Sequence, residues 1–196
     1  MIKKTFFLLF ALLMISRLSA QPVKGKIYLA ASLGTHSNSN SSVNNFFIYA
    51  LPEGGYFVTD NIMTGLGLGF STNTTKIKNP DYTTKAPLLH ITPMVKYFWR
   101  PLDKAGLFVM CYADIASGTS KTSGMGTSTS TKNSQFDFAF KSGIYIYFWK
   151  DVAFEISLSD LGVFTTKSTQ AGVTTKTNTS GVLVRPGNFT ISTFID

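Results

Sequence analysis

GYFVTDNIMTGLGLGF, residues 55–70, sets an aromatic strand end, a short polar turn and a strictly alternating run side by side. From Ile62 onward, Ile62, Thr64, Leu66, Leu68 and Phe70 fall on one face, and Met63, Gly65, Gly67, Gly69 and Ser71 on the other. Period two means a strand. A half-buried strand in water carries Lys, Glu or Thr on its second face, yet this face is nearly bare glycine, which weakens a strand unless something packs closely against it. A small closed barrel resolves the difficulty. Its interior needs room for bulky side chains from neighbouring strands, and its Leu/Phe face points outward into lipid. A phosphate-cradling loop at Gly65, Gly67 and Gly69 fails on context, because the spacing is GxGxG and a Ser/Thr/Asn run follows in place of a helix.

The same pattern recurs on both sides of this stretch. Upstream, Ile27, Leu29, Ala31 and Leu33 alternate with Tyr28, Ala30, Ser32 and Gly34, and a second strand runs from Phe46 to Val58, with Pro52 and Gly54-Gly55 predicting a bend or bulge. Downstream, alternating runs lie over 89–98, 107–115, 136–147, 152–159 and 188–195, the last starting irregularly near Arg185-Pro186-Gly187. Polar stretches at 35–45, 72–85, 116–134 and about 165–180 read as long loops by composition. Eight strands of about 9–11 residues, joined alternately by long polar connections and short turns, predict an all-β fold, an eight-stranded antiparallel up-and-down transmembrane β-barrel. Long loops would then face outward from the cell, and the short turns and both chain ends the periplasm.

Residues 1–20 carry Lys3 and Lys4, an apolar run from Phe6 to Ile15, and Arg17-Leu18-Ser19-Ala20. This reads as a secretory signal peptide, leaving 21–196 as one barrel domain. Its loss takes the formal net charge from +8 to +5, since three cations and no acid go with it. The single cysteine, Cys111, has no internal disulfide partner, and no later apolar run is long enough for a membrane helix.

Tyr56-Phe57, Tyr97-Phe98-Trp99 and Tyr147-Phe148-Trp149 each stand just before a short turn. Amphipathic rings at one level suit a membrane interface, so Tyr56, Phe57, Tyr97, Trp99, Tyr147 and Trp149 are read as an aromatic girdle. With GYFVTDN followed by GLGLGF, and YFWKDVAFEISL at 147–158 as a second version of the same turn, the chain resembles the small OmpA- and OmpX-like outer-membrane barrels, especially those of Bacteroidetes. The resemblance implies a protein of the Gram-negative outer membrane that meets the barrel-assembly machinery and has no cofactor. Members of that family end in an aromatic residue; here Phe194 is third from the end.

Charge on the inward face is the most informative polar feature. His90, Lys96, Asp114, Asp137, Lys141 and Glu155 share it with glycine, serine and tyrosine. Buried charges need partners, so ion pairs across the lumen are expected, Asp114 with Lys141 and Lys96 with Glu155. The reading favoured is a plug of paired charges with a structural, adhesive or envelope-interaction role. The alternative is a narrow porin-like channel lined by Lys96, Asp114, Lys141 and Glu155. A secreted lipocalin-like barrel would instead turn Leu66, Leu68, Phe138 and Phe140 inward. No catalytic or metal-binding constellation is read, because only His36, His90 and Cys111 are available beside the carboxylates. The polar stretches hold Lys76, Lys78, Lys85, Lys121, Lys132, Lys167 and Lys176 against Asp81 alone, a cationic rim suited to the phosphates of lipopolysaccharide. The lysines lie apart without interleaved aromatics, so no nucleic-acid partner is expected, and a monomer is.

Overall fold

The protein is described by a computed structural model over residues 24–149, 151–183 and 189–195. The signal segment 1–20 and the strand start at Arg185-Pro186-Gly187 lie outside the described residues. Nine antiparallel strands form one sheet: β1 Ile27–Ser39, β2 Val43–Phe57, β3 Ile62–Ile77, β4 Tyr82–Trp99, β5 Ala105–Gly124, β6 Thr127–Tyr147, β7 Val152–Gln170, β8 Val173–Leu183 and β9 Phe189–Ile195. Each of β1 to β7 pairs with the next in order. The upper half of β7 pairs with β8 and its lower end with β9, so these two are pieces of one eighth stave. Pairing of β1 with β9 closes the cylinder.

Alternation sorts the side chains as lipid outside requires. Leu66, Leu68, Leu89, Ile91, Phe138 and Phe140 are all exposed on the outer face, while Tyr28, Met63, Phe98, Phe108 and Tyr145 are buried within. The inverted, lipocalin-like arrangement is therefore excluded. On β4 the outward apolar run from Leu89 to Tyr97 spans about 20 Å along a normal tilted by roughly 40°, close to the ~25 Å apolar band of such barrels.

Three expectations change. The polar stretches are ladder rather than loop: β5 and β6 stay paired up to Gly124 and Thr127, and β7 and β8 up to Gln170 and Val173. The turns that close them are two residues long, Met125-Gly126 with φ of 48° and 76° and Ala171-Gly172 with φ of 49° and 85°. Two successive positive φ angles make the turn type whose twist matches the strands it joins. Threonine, a β-branched residue, lets the flanks stay extended although they are polar. The strands accordingly reach 18, 20, 21 and 19 residues in β4 to β7, about twice what crossing the bilayer needs.

Next, β2 keeps an unbroken register with β1 through Pro52 and Gly54-Gly55, in place of the bend or bulge those residues predict. The bulge lies instead between β6 and β7: Ser142 opposes Ser159, and Gly143 opposes Ser157. The extra residue shifts the phase of β7. Below it Ala153 and Glu155 are buried; above it Asp160 is buried, and Leu161 and Val163 are exposed. Third, the aromatic girdle splits by phase. Tyr56, Tyr97 and Trp149 are exposed, but Phe57 is fully buried and Tyr147 packs against Tyr145 and Phe194. Adjacent residues of a strand take opposite faces, so only one of each pair can meet lipid. Trp99, half-buried, lies in outward phase with Tyr97.

Gly65 shows why the inner face of β3 is bare: a Cβ there would stand 2.5 Å from the carbonyl oxygen of Gly54 and 3.0 Å from the Cα of Gly55. Backbone cannot step aside. Gly65→Val is expected to cost about 1–3 kcal/mol by overpacking, read as a lower temperature at which the compact electrophoretic form of the folded barrel is lost.

Candidate functional site

The lumen is built in two tiers. At the lower end an aromatic floor centres on Phe98, whose ring lies 5.4–6.4 Å from those of Tyr28, Phe57, Phe108, Tyr145 and Phe194. All six are buried. They come from β1, β2, β4, β5, β6 and β9, so every part of the cylinder but β3 and β7 sends a ring to the floor. Beneath it the Arg100 guanidinium lies 5.8 Å from the Phe57 ring and 6.0 Å from that of Phe98.

On this floor stands Lys96, 2% exposed, and its surroundings explain how a charge survives there. Its Nζ donates to Glu155 Oε2 at 2.9 Å and to the Tyr28 hydroxyl at 2.7 Å, and Tyr28 in turn donates to Glu155 Oε1 at 2.9 Å. Glu53 Oε2 approaches to 3.8 Å, and the rings of Tyr28 and Phe108 lie 4.7 and 4.9 Å away. Glu53 Oε1 accepts from Ser32 Oγ at 2.7 Å, and that oxygen lies 2.7 Å from Thr190 Oγ1. Since the single Ser32 proton is committed to the carboxylate, Thr190 is the donor in the second bond. Lys96 thereby joins β1, β2, β4, β7 and β9 into one polar network.

The upper tier is a relay on β3, β4 and β5. His90 Nδ1 lies 2.8 Å from Asp114 Oδ2, His90 Nε2 lies 2.8 Å from Ser71 Oγ, and Thr92 Oγ1 donates to Asp114 Oδ1 at 2.7 Å. An ionised carboxylate only accepts, so Nδ1 carries a proton, and in the neutral ring Nε2 accepts from Ser71. Asp114 thus bonds His90 and Thr92 in place of the Lys141 expected for it. Lys141, half-buried, stands level with Met110 and Asp160 and lies 5.1 Å from the Tyr112 ring. Asp137 accepts from Gln135 Nε2 at 2.6 Å.

Serine, histidine and aspartate in this order can activate a nucleophile. Acyl transfer also needs donors converging on the developing oxyanion. Ser71 is flanked by partners on both sides, Tyr49 in β2 and Leu88 in β4, so the neighbouring backbone groups are engaged in the ladder. The relay ties β3, β4 and β5 together inside the barrel. Among the described residues no group of three His, Cys, Asp or Glu side chains is placed to hold a metal ion.

Sequence reasoning missed Glu53, Asp160 and Tyr28. Counting by twos back from Phe57 reaches Glu53, and the bend predicted at Pro52 hid it. Leu158 and Leu161 stand three apart, which breaks period two and marks the bulge that carries Asp160 inward. The surface lysines Lys76, Lys78, Lys85, Lys121, Lys132, Lys167 and Lys176 are exposed on the extended hairpins.

A family model described as an outer membrane protein beta-barrel domain matches residues 5–190. Among solved structures, a major outer membrane protein from Thermus thermophilus is similar in fold at 11% identity and a TM-score of 0.50, covering 87% of this chain and 99% of that one. Neisserial surface protein A aligns at 10% identity and a TM-score of 0.43, over 87% and 95% of the two chains. No curated protein matches the sequence.

Lys96→Met leaves Glu155 and Glu53 buried without their cation and is expected to cost about 3–5 kcal/mol, read as an earlier thermal loss of the compact band. Combining it with Glu155→Gln should restore part of that loss. A fluorophosphonate probe of activated serines is expected to leave Ser71 unlabelled; labelling abolished by Ser71→Ala would make the relay an acyl-transfer site.

Proposed function

The chain belongs to the outer membrane protein β-barrel domain family, and from that premise we propose that it is a closed, non-enzymatic barrel whose work is structural or adhesive. The outer membrane is where it resides. The observation that carries the closed reading is the aromatic floor: Phe98 and Phe57 are 0% exposed and Phe108 is 2% exposed, with Lys96 sealed above them. Eight strands leave an interior that side chains can fill, and here they do so at the lower end. What remains for contact with other molecules is the outer half of the long hairpins, where Ser, Thr, Asn and Lys stand on a rigid ladder.

A second reading, a narrow channel, draws on the acid content of the lumen. Glu53, Asp114, Asp137, Glu155 and Asp160 are buried there. Were the floor to open, the pathway would favour cations.

Refolded protein in a planar lipid bilayer separates the two. The closed barrel is expected to insert, as shown by heat-modifiable mobility, and to remain electrically silent. Steady cation-selective conductance, altered in its ion preference by Lys141→Met, would overturn that expectation.

A further inference from the structure

Six lysines of the long hairpins share one face and one level. Counting by twos from the exposed apolar residues Phe70, Leu89, Ile115, Phe136 and Val163 leads to Lys76 on β3, Lys85 on β4, Lys121 on β5, Lys132 on β6 and Lys167 on β7. The registers of β3 to β6 do not shift over this distance, although the β4–β5 pairing is interrupted between Lys85↔Lys121 and Leu89↔Ser117, and on β7 the bulge lies below it, so the phase is preserved. Lys176 on β8 stands directly opposite Lys167 and takes the same face. All six are exposed on the lipid-facing side of the wall rather than into its mouth. They lie four to six residues beyond the last apolar side chain, which at ~3.3 Å per residue and a tilt near 45° is about 9–14 Å higher. Lysine stems reach back toward the apolar boundary, so the ammonium groups fall at headgroup level.

Two features mark this collar as more than a soluble surface. Lys85 directly opposes Lys121, and Lys167 directly opposes Lys176. Like charges in opposed positions weaken a ladder unless an anion comes between them. The second is the scarcity of local compensation: segments 72–77, 82–88, 116–135 and 163–183 contain no Asp or Glu, Asp81 in the β3–β4 turn is the one acid beside them, and among the described residues none of the six lysines forms an ion pair.

We propose that the collar binds the phosphate groups of phosphorylated lipid in the outer leaflet, with each opposed pair clamping one phosphate and the outward hydroxyls of Thr74, Ser117 and Thr165 completing its contacts. This rests on the barrel standing in the outer membrane with its hairpins outward, and it assigns the lipid that surrounds it.

The test uses the full chain refolded in zwitterionic micelles and titrated with purified diphosphoryl lipid A, binding being followed by native electrophoresis. Binding should weaken with salt and fall when the lipid is dephosphorylated. Lys85→Gln and Lys121→Gln together, or Lys167→Gln and Lys176→Gln together, should each lower affinity, by about fivefold per lysine on the scale for basic residues near an anionic membrane. These changes face lipid, so folding and heat-modifiable mobility should persist in zwitterionic micelles. Equal affinity for the dephosphorylated lipid, or undiminished affinity in both paired variants, would overturn the proposal. Competition by inorganic phosphate at concentrations comparable to the lipid would overturn it too, by showing an anion site with no preference for lipid. Failure to fold at all in any micelle would instead count against the barrel reading on which the collar rests.

Discussion

Lys96 can be buried only in a closed barrel. An ammonium taken out of water loses several kcal/mol of solvation, which must be offset by close carboxylates and hydrogen bonds. Its partners come from positions 28, 53 and 155 in the sequence, on β1, β2 and β7, and no two adjacent strands hold them all. The network and the closure therefore depend on each other. This matters at the seam, where β1 pairs with β9 from Ile27↔Ile195 to Leu33↔Phe189 among the described residues. Across that seam Ser32 meets Thr190, and Tyr28 reaches Glu155 beyond β9, so side chains reinforce the backbone join.

The wall also divides charge. Five of the ten acidic residues are buried within the lumen, and the cations of the extended hairpins stand outside it. Sorting by the sign of charge follows from the two environments. Inside, carboxylates accept several short hydrogen bonds from hydroxyls, imidazole and ammonium, and Asp114 does so at both of its oxygens. Outside, at headgroup depth, a long basic side chain can carry its charge to water while its stem lies on apolar surface, which a short carboxylate cannot do.

Period two alone makes the barrel legible in the sequence, because Leu66, Leu68 and Phe70 against three glycines have one physical explanation. It fails wherever one residue is added or the polar and apolar faces cease to differ. The bulge at Ser157–Ser159 shifts β7 by one residue and hides Asp160. Above the membrane both faces of β5 and β6 are Ser and Thr, so alternation carries no hydropathy signal, and ladder reads as loop. The turn residues do hold a clue, since a glycine at the second turn position amid Ser/Thr-rich strands, as in Met125-Gly126 and Ala171-Gly172, fits a two-residue hairpin. The lumen contacts are less legible: Lys96 with Glu155 can be paired by height and face, but Ser71 beside His90 depends on which rotamer each adopts around a filled interior.

Rigid hairpins in place of loops change what the exposed half can do. A mobile loop lets like charges separate and meets a ligand only after losing that freedom on binding. Here Lys85 and Lys121, and likewise Lys167 and Lys176, are held opposite each other by the paired strands that carry them. Their repulsion is present before any ligand arrives, and an anion that relieves it meets a surface already arranged. The two-residue turns at Met125-Gly126 and Ala171-Gly172 are thus coupled to the surface chemistry: by keeping the strands paired to their tips, they hold the lysines in register with the headgroups.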